Sequence, residues 1–283
     1  MPQTTAREIN RRDSSRWSEA PARIVNDSEM QGSRETARSF AIAGRDVHVW
    51  PVRIQGSDEV AARFESFLTP AEAARAAAFR FEHLRRSFRL TRGALRLLIG
   101  GYLGVAPGKV LMNVGPNGKP GLVISGDAPP DFQFNVSHSG DLALFAFTRG
   151  CEIGADVELI RPMADLALVA NQFFCREESE ELLSLPAAER DRAFFLCWTR
   201  KEAYVKAVGD GLSTALDSFR VTLRPGEPAR FVHLNFDSSL AQAWMLHNLE
   251  VLPEYSAALA YRAAPRPVQL RPVIGMDELS ELA

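Results

Sequence analysis

Cys151-Glu-Ile-Gly-Ala-Asp-Val-Glu-Leu159 is the stretch on which the reading of this chain turns. Ile153, Ala155, Val157 and Leu159 alternate with Glu152, Gly154, Asp156 and Glu158. Period-two alternation marks a half-buried strand, so Asp156 and Glu158 project from one face. Carboxylates that close repel unless a cation lies between them. A hard divalent ion such as Mg2+ resolves this, because it takes oxygen ligands from protein and phosphate alike. A solvated polar strand face carries the same pattern, and for a DxE taken alone it is the commoner explanation.

Further along, Phe194-Phe-Leu-Cys-Trp-Thr-Arg-Lys-Glu-Ala-Tyr-Val-Lys-Ala-Val208 has helical periodicity, with Phe194, Trp198, Val205 and Val208 forming an apolar stripe. Glu202 and Lys206 stand four apart, one turn along the same side. An exposed pair of this kind contributes only about 0.2–0.5 kcal/mol. On so apolar an element, the two charges are expected to face a wet cleft or a charge partner.

Around these segments the chain alternates strand and helix patterns. Residues 142–148 and 151–159 read as strands joined at Arg149-Gly150. Thr69-Pro-Ala-Glu72 is a helix start with a capping box and Pro in the first turn, and the helical stretch it opens runs to about Leu103. Residues 46–54 are β-branched, and Pro51 predicts an edge or broken strand there. Residues 114–121 form a turn-rich loop. Helix is predicted over 165–172, after Cys175 and over 187–208, and short strands over 219–223, 230–236, 243–251 and 257–261. Residues 1–44 mix Arg and Ser with Glu8, Asp13, Glu19 and Asp27 and show no apolar periodicity, which predicts a disordered extension and argues against an acid-poor transit peptide. The expected division is therefore an extension (1–44), two similar halves (45–149 and 150–263) meeting near Gly150, and a proline-rich tail (264–283). The fold class is α+β.

With 46% hydrophobic and 24% charged residues in 283, the chain can bury a real core. A net charge of -2 argues against a basic nucleic-acid binder, even though Arg80, Arg85, Arg86, Arg89, Arg92 and Arg96 carry only Glu82 among them. No apolar run approaches the roughly 20 residues of a membrane helix, and Met1 to Arg12 lacks a secretory core. Cys151, Cys175 and Cys197 form no CxxC pair, so no disulfide frame or zinc site is expected and a cytoplasmic protein is. Ser137-His138 invites a nucleophile–base reading, but neighbours on a strand point to opposite sides, and no GxSxG elbow is present.

Ile153-Gly-Ala-Asp156-Val-Glu158, followed by Trp198-Thr-Arg-Lys-Glu202-Ala-Tyr-Val-Lys206, resembles the signature pair of the 4′-phosphopantetheinyl transferases of the surfactin-synthetase-activating (Sfp-like) class. Phe134-Asn-Val-Ser-His-Ser-Gly140, Gly118-Lys-Pro120, and Gly211-Leu-Ser with Leu216-Asp-Ser-Phe219 are similar to further blocks of that family, in one order across residues 47–261.

The resemblance implies two pseudo-symmetric halves with coenzyme A in the cleft between them. It implies a monomer that transfers the phosphopantetheine arm to a serine of an apo acyl or peptidyl carrier protein and releases adenosine 3′,5′-bisphosphate. By the same resemblance Asp156, Glu158 and Glu202 hold Mg2+, with Glu202 as ligand, base or both. Lys206 balances charge on the leaving phosphate, and Arg89, Lys119, Ser137 and His138 contact coenzyme A, as Asp156 does through the ion. The family often has lysines where this chain has Ala74 and Ala77, so Arg75 or Arg80 is expected to stand in. Glu178 matches an acid sometimes tied to the site, and Glu177 is its alternative. Two other readings use the same residues: a non-catalytic coenzyme A- or carrier-binding module, and a different metal-dependent phosphoryl or nucleotidyl transferase.

Overall fold

The computed structural model of the chain describes residues 24–26, 40–115, 119–123, 131–209, 214–235 and 237–282. The N-terminal half runs β1 (Ile24–Asn26), β2 (Val47–Arg53), α1 (Asp58–Glu65), α2 (Pro70–Ala77), α3 (Glu82–Leu103), β3 (Met112–Val114), β4 (Pro120–Leu122), β5 (Phe132–Ser139) and β6 (Leu142–Arg149). The C-terminal half runs β7 (Ile153–Leu159), α4 (Leu166–Phe173), α5 (Arg176–Ser184), α6 (Ala187–Val208), β8 (Phe219–Val221), β9 (Phe231–Leu234), α7 (Ser238–Ala241), β10 (Met245–Asn248) and β11 (Tyr255–Tyr261). The chain then continues through β12 (Val268–Leu270), β13 (Ile274–Gly275) and α8 (Met276–Ser280).

The expected repeat is present as topology. β2 pairs antiparallel with β6, and β6 with β5; in the other half β7 pairs antiparallel with β11, and β11 with β10. In each half the first strand thus lies beside the last strand of a closing hairpin. Each sheet is covered by one helix of 22 residues, α3 or α6, which ends at a left-handed glycine, Gly104 or Gly209. Leu90, Leu98 and Tyr102 of α3 meet Val52, Phe145 and Phe147, while Phe194, Ala203 and Ala207 of α6 share a core with Ala258, Ala260 and Leu246. Between the sheets lies a third core, where Val49, Leu142 and Leu144 meet Ile153, Ala155, Val157 and Leu259. Strand alternation explains the sorting: in β6 the odd residues face α3 and the even ones face the other sheet.

Several expectations need correction. Residues 264–283 are no appendage. β12 pairs with Val47–Val49 and β13 with Val52–Arg53, both parallel to β2, and Met276 and Leu279 of α8 are fully buried in the N-terminal core. The pattern is short, with apolar residues two apart in the strand and three apart in the helix, and the prolines between hide it. Pro51 accordingly sits in a central strand. It is tolerated because its missing N–H falls between the stretches paired by β12 and β13, while on the other side it lies opposite Leu144.

Within residues 1–44, Ile24–Asn26 pairs in parallel with β12, and Phe40 stacks on Trp50 and meets Tyr102 edge-on. Residues 1–23 and 27–39 of the predicted extension lie outside the described residues, as do Gly118 and Gly211–Ser213 of the motif blocks. The helical stretch from Thr69 divides into α2 and α3, and α1 precedes it without having been foreseen.

The buried His48 and the half-buried His247 give the fold a pH dependence. The Tyr102 hydroxyl accepts from the Trp50 indole (2.8 Å) and is hydrogen-bonded to His48 Nδ1 (2.8 Å). Burial first, and then the charge of Arg271, holds the His48 pKa down at about 4 against an ordinary 6.5; burial brings His247 to about 4 as well. The unfolded chain takes up both protons below pH 6.5, and the folded chain resists until about pH 4. The contribution is therefore complete above 6.5 and lost as pH falls toward 4. Urea unfolding across that window is expected to show a loss of stability with a slope approaching about two protons, of which His48→Gln removes about one.

Candidate active site

β7 and α6 touch backbone to backbone at Gly154, where a Cβ would overlap the Ala203 carbonyl oxygen and the Ala207 amide nitrogen. Along the same strand face follow Asp156 and Glu158, and from the helix come Glu202 and Lys206, one turn apart. Lys206 Nζ lies 2.5 Å from Asp156 Oδ1. Asp156 is buried, while Glu158, Glu202 and Lys206 are half-buried at the rim. Helix and strand thus bring together the four residues that the two sequence motifs singled out.

The third element is β5. β7 is the edge of its own sheet, and its free backbone edge is covered by β5 side chains. The Ala155 N–H donates to Asn135 Oδ1 (3.0 Å), Val157 N–H to Ser137 Oγ (3.4 Å) and Leu159 N–H to Ser139 Oγ (3.1 Å). Ser137 is buried. Its hydroxyl donates to Asp156 Oδ1 (2.7 Å) and accepts from Lys206 (2.8 Å) as well as from Val157, which uses its one donor and both acceptor sites. A hydrogen bond from coenzyme A to this hydroxyl would have to exchange with one of these three. His138 lies on the other face of β5, so the pair is no catalytic dyad.

The cluster is short of positive charge. Glu202 is held above the ordinary carboxylate range by burial first and then by Asp156, with Lys206 opposing and Glu158 adding. Glu158 is raised by burial first; the Ser139 hydrogen bond opposes this and the Asp156 charge reinforces it. Asp156 Oδ2 is buried without a hydrogen-bond partner. An orphaned carboxylate oxygen among three coupled carboxylates and one ammonium fits a hard divalent cation. Among the described residues no group of three or more His, Cys, Asp or Glu side chains is drawn together closely enough to hold a metal ion as the side chains stand, with Lys206 seated on Asp156.

The other predicted residues are distributed unevenly. Lys119 reaches across from the N-terminal half and donates to the Lys206 carbonyl (2.6 Å) in the last turn of α6, and burial lowers its pKa. The pKa of His138 is lowered by burial first and then by the charge of Lys206. Arg89 is not brought into the cluster: it pairs with Glu82 (2.5 Å) and Glu65 (3.5 Å). Arg86 pairs with Asp58, and Arg92 and Arg96 with Glu72, so acids from α1 and α2 neutralise much of the arginine row. Arg75 lies over the Phe88 ring and Arg80 over Phe81.

Comparison with known proteins agrees with this geometry. Residues 152–260 match the 4′-phosphopantetheinyl transferase superfamily, and residues 55–149 match the 4′-phosphopantetheinyl transferase N-terminal family. The 4′-phosphopantetheinyl transferase HetI of a Nostoc species is 39% identical over 228 residues, which cover 80% of this chain and 91% of HetI. The chain belongs to the 4′-phosphopantetheinyl transferase superfamily. The 4′-phosphopantetheinyl transferase Sfp of Bacillus subtilis is 32% identical over 59% of this chain and 71% of its own length. A Thraustochytrium phosphopantetheinyl transferase is 28% identical over 83% and 87%. As a member of this enzyme class the chain is a transferase of the phosphopantetheinyl group. None of its helices, among the described residues, is long and apolar enough to cross a membrane.

In this transferase the helix carrying Glu202 is anchored by a buried ion pair that sequence reasoning missed. Lys201 and Glu178 are both fully buried, 2.7 Å apart. Lys201 directs its other protons to the Leu216 and Phe219 carbonyls (2.8 and 2.6 Å), and Glu178 accepts from the Cys175 and Val221 amides (3.1 and 2.7 Å). Every polar atom of the pair is satisfied, so Glu178 is a structural residue and does not belong to the carboxylate cluster. The signal available was the pairing of a Lys beside Glu202 with an acid in a helix first turn, which does not reveal that both are interior. Lys201→Met leaves Glu178 as an uncompensated buried charge and is expected to cost about 3–5 kcal/mol, read as a lowered urea midpoint; adding Glu178→Met recovers much of the loss.

Proposed function

We propose that this chain moves the phosphopantetheine arm of coenzyme A to a serine of an apo acyl or peptidyl carrier protein, with Mg2+, in the cytoplasm. The carrying observation is the open cluster of Asp156, Glu158, Glu202 and Lys206, with the buried Asp156 Oδ2 left without a partner. Asp156, Glu158 and Glu202 would hold Mg2+, which when bound neutralises charge on the attacked phosphoryl group.

The residues of the chain do the rest. Glu202, whose proton affinity is raised by burial and by its neighbours, takes the proton of the carrier serine hydroxyl as that oxygen bonds to phosphorus. The phosphorus–oxygen bond to the nucleotide breaks, and adenosine 3′,5′-bisphosphate leaves. Lys206 carries the one ammonium hydrogen-bonded to the cluster and balances charge on the leaving phosphate. Lys119 and His138, on the N-terminal half and next to Lys206, flank the nucleotide side of the cleft. Both walls of the cleft come from one chain, so a monomer suffices.

The test is intact-protein mass spectrometry of an apo carrier protein incubated with this protein, coenzyme A and Mg2+. A mass gain of one phosphopantetheine arm, lost with EDTA, is expected, with adenosine 3′,5′-bisphosphate as the second product. Glu202→Gln is expected to slow the gain by about 100-fold or more. Coenzyme A binding without any gain across fatty-acid, polyketide and peptide carriers would contradict the reading and leave a binding module. Release of AMP or inorganic phosphate would point to a different transferase.

A further inference from the structure

We propose that Ser137 and Ser139 are positioning residues that set which oxygens of Asp156 and Glu158 face the cation. This rests on the reading of those carboxylates as Mg2+ ligands. The motif segment Phe134 to Gly140 would then serve the metal side of the cleft through these two hydroxyls, with only His138 directed outward.

The geometry is a ladder with a constant step. Asn135, Ser137 and Ser139 accept from the amides of Ala155, Val157 and Leu159, so β5 runs alongside β7 at a fixed offset and its side chains replace a missing strand. Asn135 shows what plain edge-covering looks like: it accepts from Ala155 N–H, and the preceding residue, Gly154, has no side chain to hold. The serines do something more. Ser137 accepts from Val157 N–H and donates to the carboxylate of the preceding Asp156 (2.7 Å). Ser139 accepts from Leu159 N–H and donates to the carboxylate of the preceding Glu158 (2.7 Å). Each hydroxyl thereby ties an acidic side chain to the backbone of its own strand.

The consequence is clearest at Asp156. Its Oδ1 receives the Ser137 proton and a Lys206 proton, while Oδ2 is buried and has no hydrogen-bond partner. A carboxylate with one oxygen saturated and the other bare has only one oxygen to offer an ion, and the hydroxyl decides which. Outer partners of this kind orient the ligand, and their loss typically weakens metal binding by about 10–100-fold.

The test separates metal from nucleotide. Mn2+ binding is followed by the paramagnetic resonance of the free ion at saturating coenzyme A, and coenzyme A binding is measured by calorimetry in EDTA. For Ser137→Ala, Mn2+ is expected to bind at least about 10-fold more weakly while coenzyme A in EDTA stays within about two-fold, with Ser137→Thr restoring the metal affinity. Unchanged Mn2+ affinity overturns the proposal. So does a loss of coenzyme A affinity in EDTA as large as the loss for the metal, which would return Ser137 to the nucleotide. Should Ser137→Ala fail a thermal-melt check of folding, Ser139→Ala, at a less buried position, is judged by the same two numbers. Wild-type protein that binds coenzyme A without Mn2+ would overturn the metal reading itself, a result distinct from any behaviour of the variants.

Discussion

Gly154 lets the backbone of α6 rest directly on β7, with the Ala203 carbonyl and the Ala207 amide occupying the space a methyl group would need. The arrangement of the site follows from that approach. Asp156 and Glu158 lie further along the same strand face, and Glu202 and Lys206 bracket the contact on the helix, so the depth of the approach sets the spacing between the carboxylates of the two elements. The helix is held at that depth from behind. Lys201 with Glu178, and Arg200 with Thr222 and Asn248, bind its inner turns to α5, to β10 and to the segment leading into β9, each with its polar atoms paired. The helix is thereby held by buried polar contacts as well as by apolar packing.

The N-terminal half completes the site without contributing a carboxylate to it. Its edge strand β5 supplies hydroxyls to the β7 edge, and Lys119 reaches the last turn of α6. The apolar layer between the two sheets brings these groups into range, and the returning segment after β11 strengthens that layer by adding Val268 and Leu270 to it. The residues that close the N-terminal core therefore come from the far end of the chain, so the two halves are joined covalently twice.

The elements legible in the sequence were those whose pattern is local and strong. The alternation of Ile153, Ala155 and Val157 placed β7 and the face carrying Asp156 and Glu158; the apolar stripe of Phe194, Trp198, Val205 and Val208 placed α6; β6, β10 and β11 lay close to their predicted positions. What escaped was decided by partners distant in sequence. Pro51 read as an edge signal because nothing local shows that β12 and β13 stop on either side of it. Lys201 and Arg200 carry no local sign of burial, which comes from β8, β10 and the segment after β8. Arg89, expected at coenzyme A from the family resemblance, pairs with Glu82 two turns back on α3 and with Glu65, which reaches it only when α1 packs on α3. The motif gave Ser137 only an expected contact with coenzyme A and gave Ser139 no role, since a hydroxyl declares its function only through what it touches.

The central claim is that the backbone contact at Gly154 governs both the fold of the C-terminal half and the spacing of the carboxylates. Urea unfolding and carrier-protein transfer, measured side by side on Gly154→Ala, test it most directly. The added methyl has only backbone to displace, so a stability loss of about 3 kcal/mol or more is expected, with transfer falling further than the folded fraction does. Wild-type stability together with wild-type transfer would contradict the account.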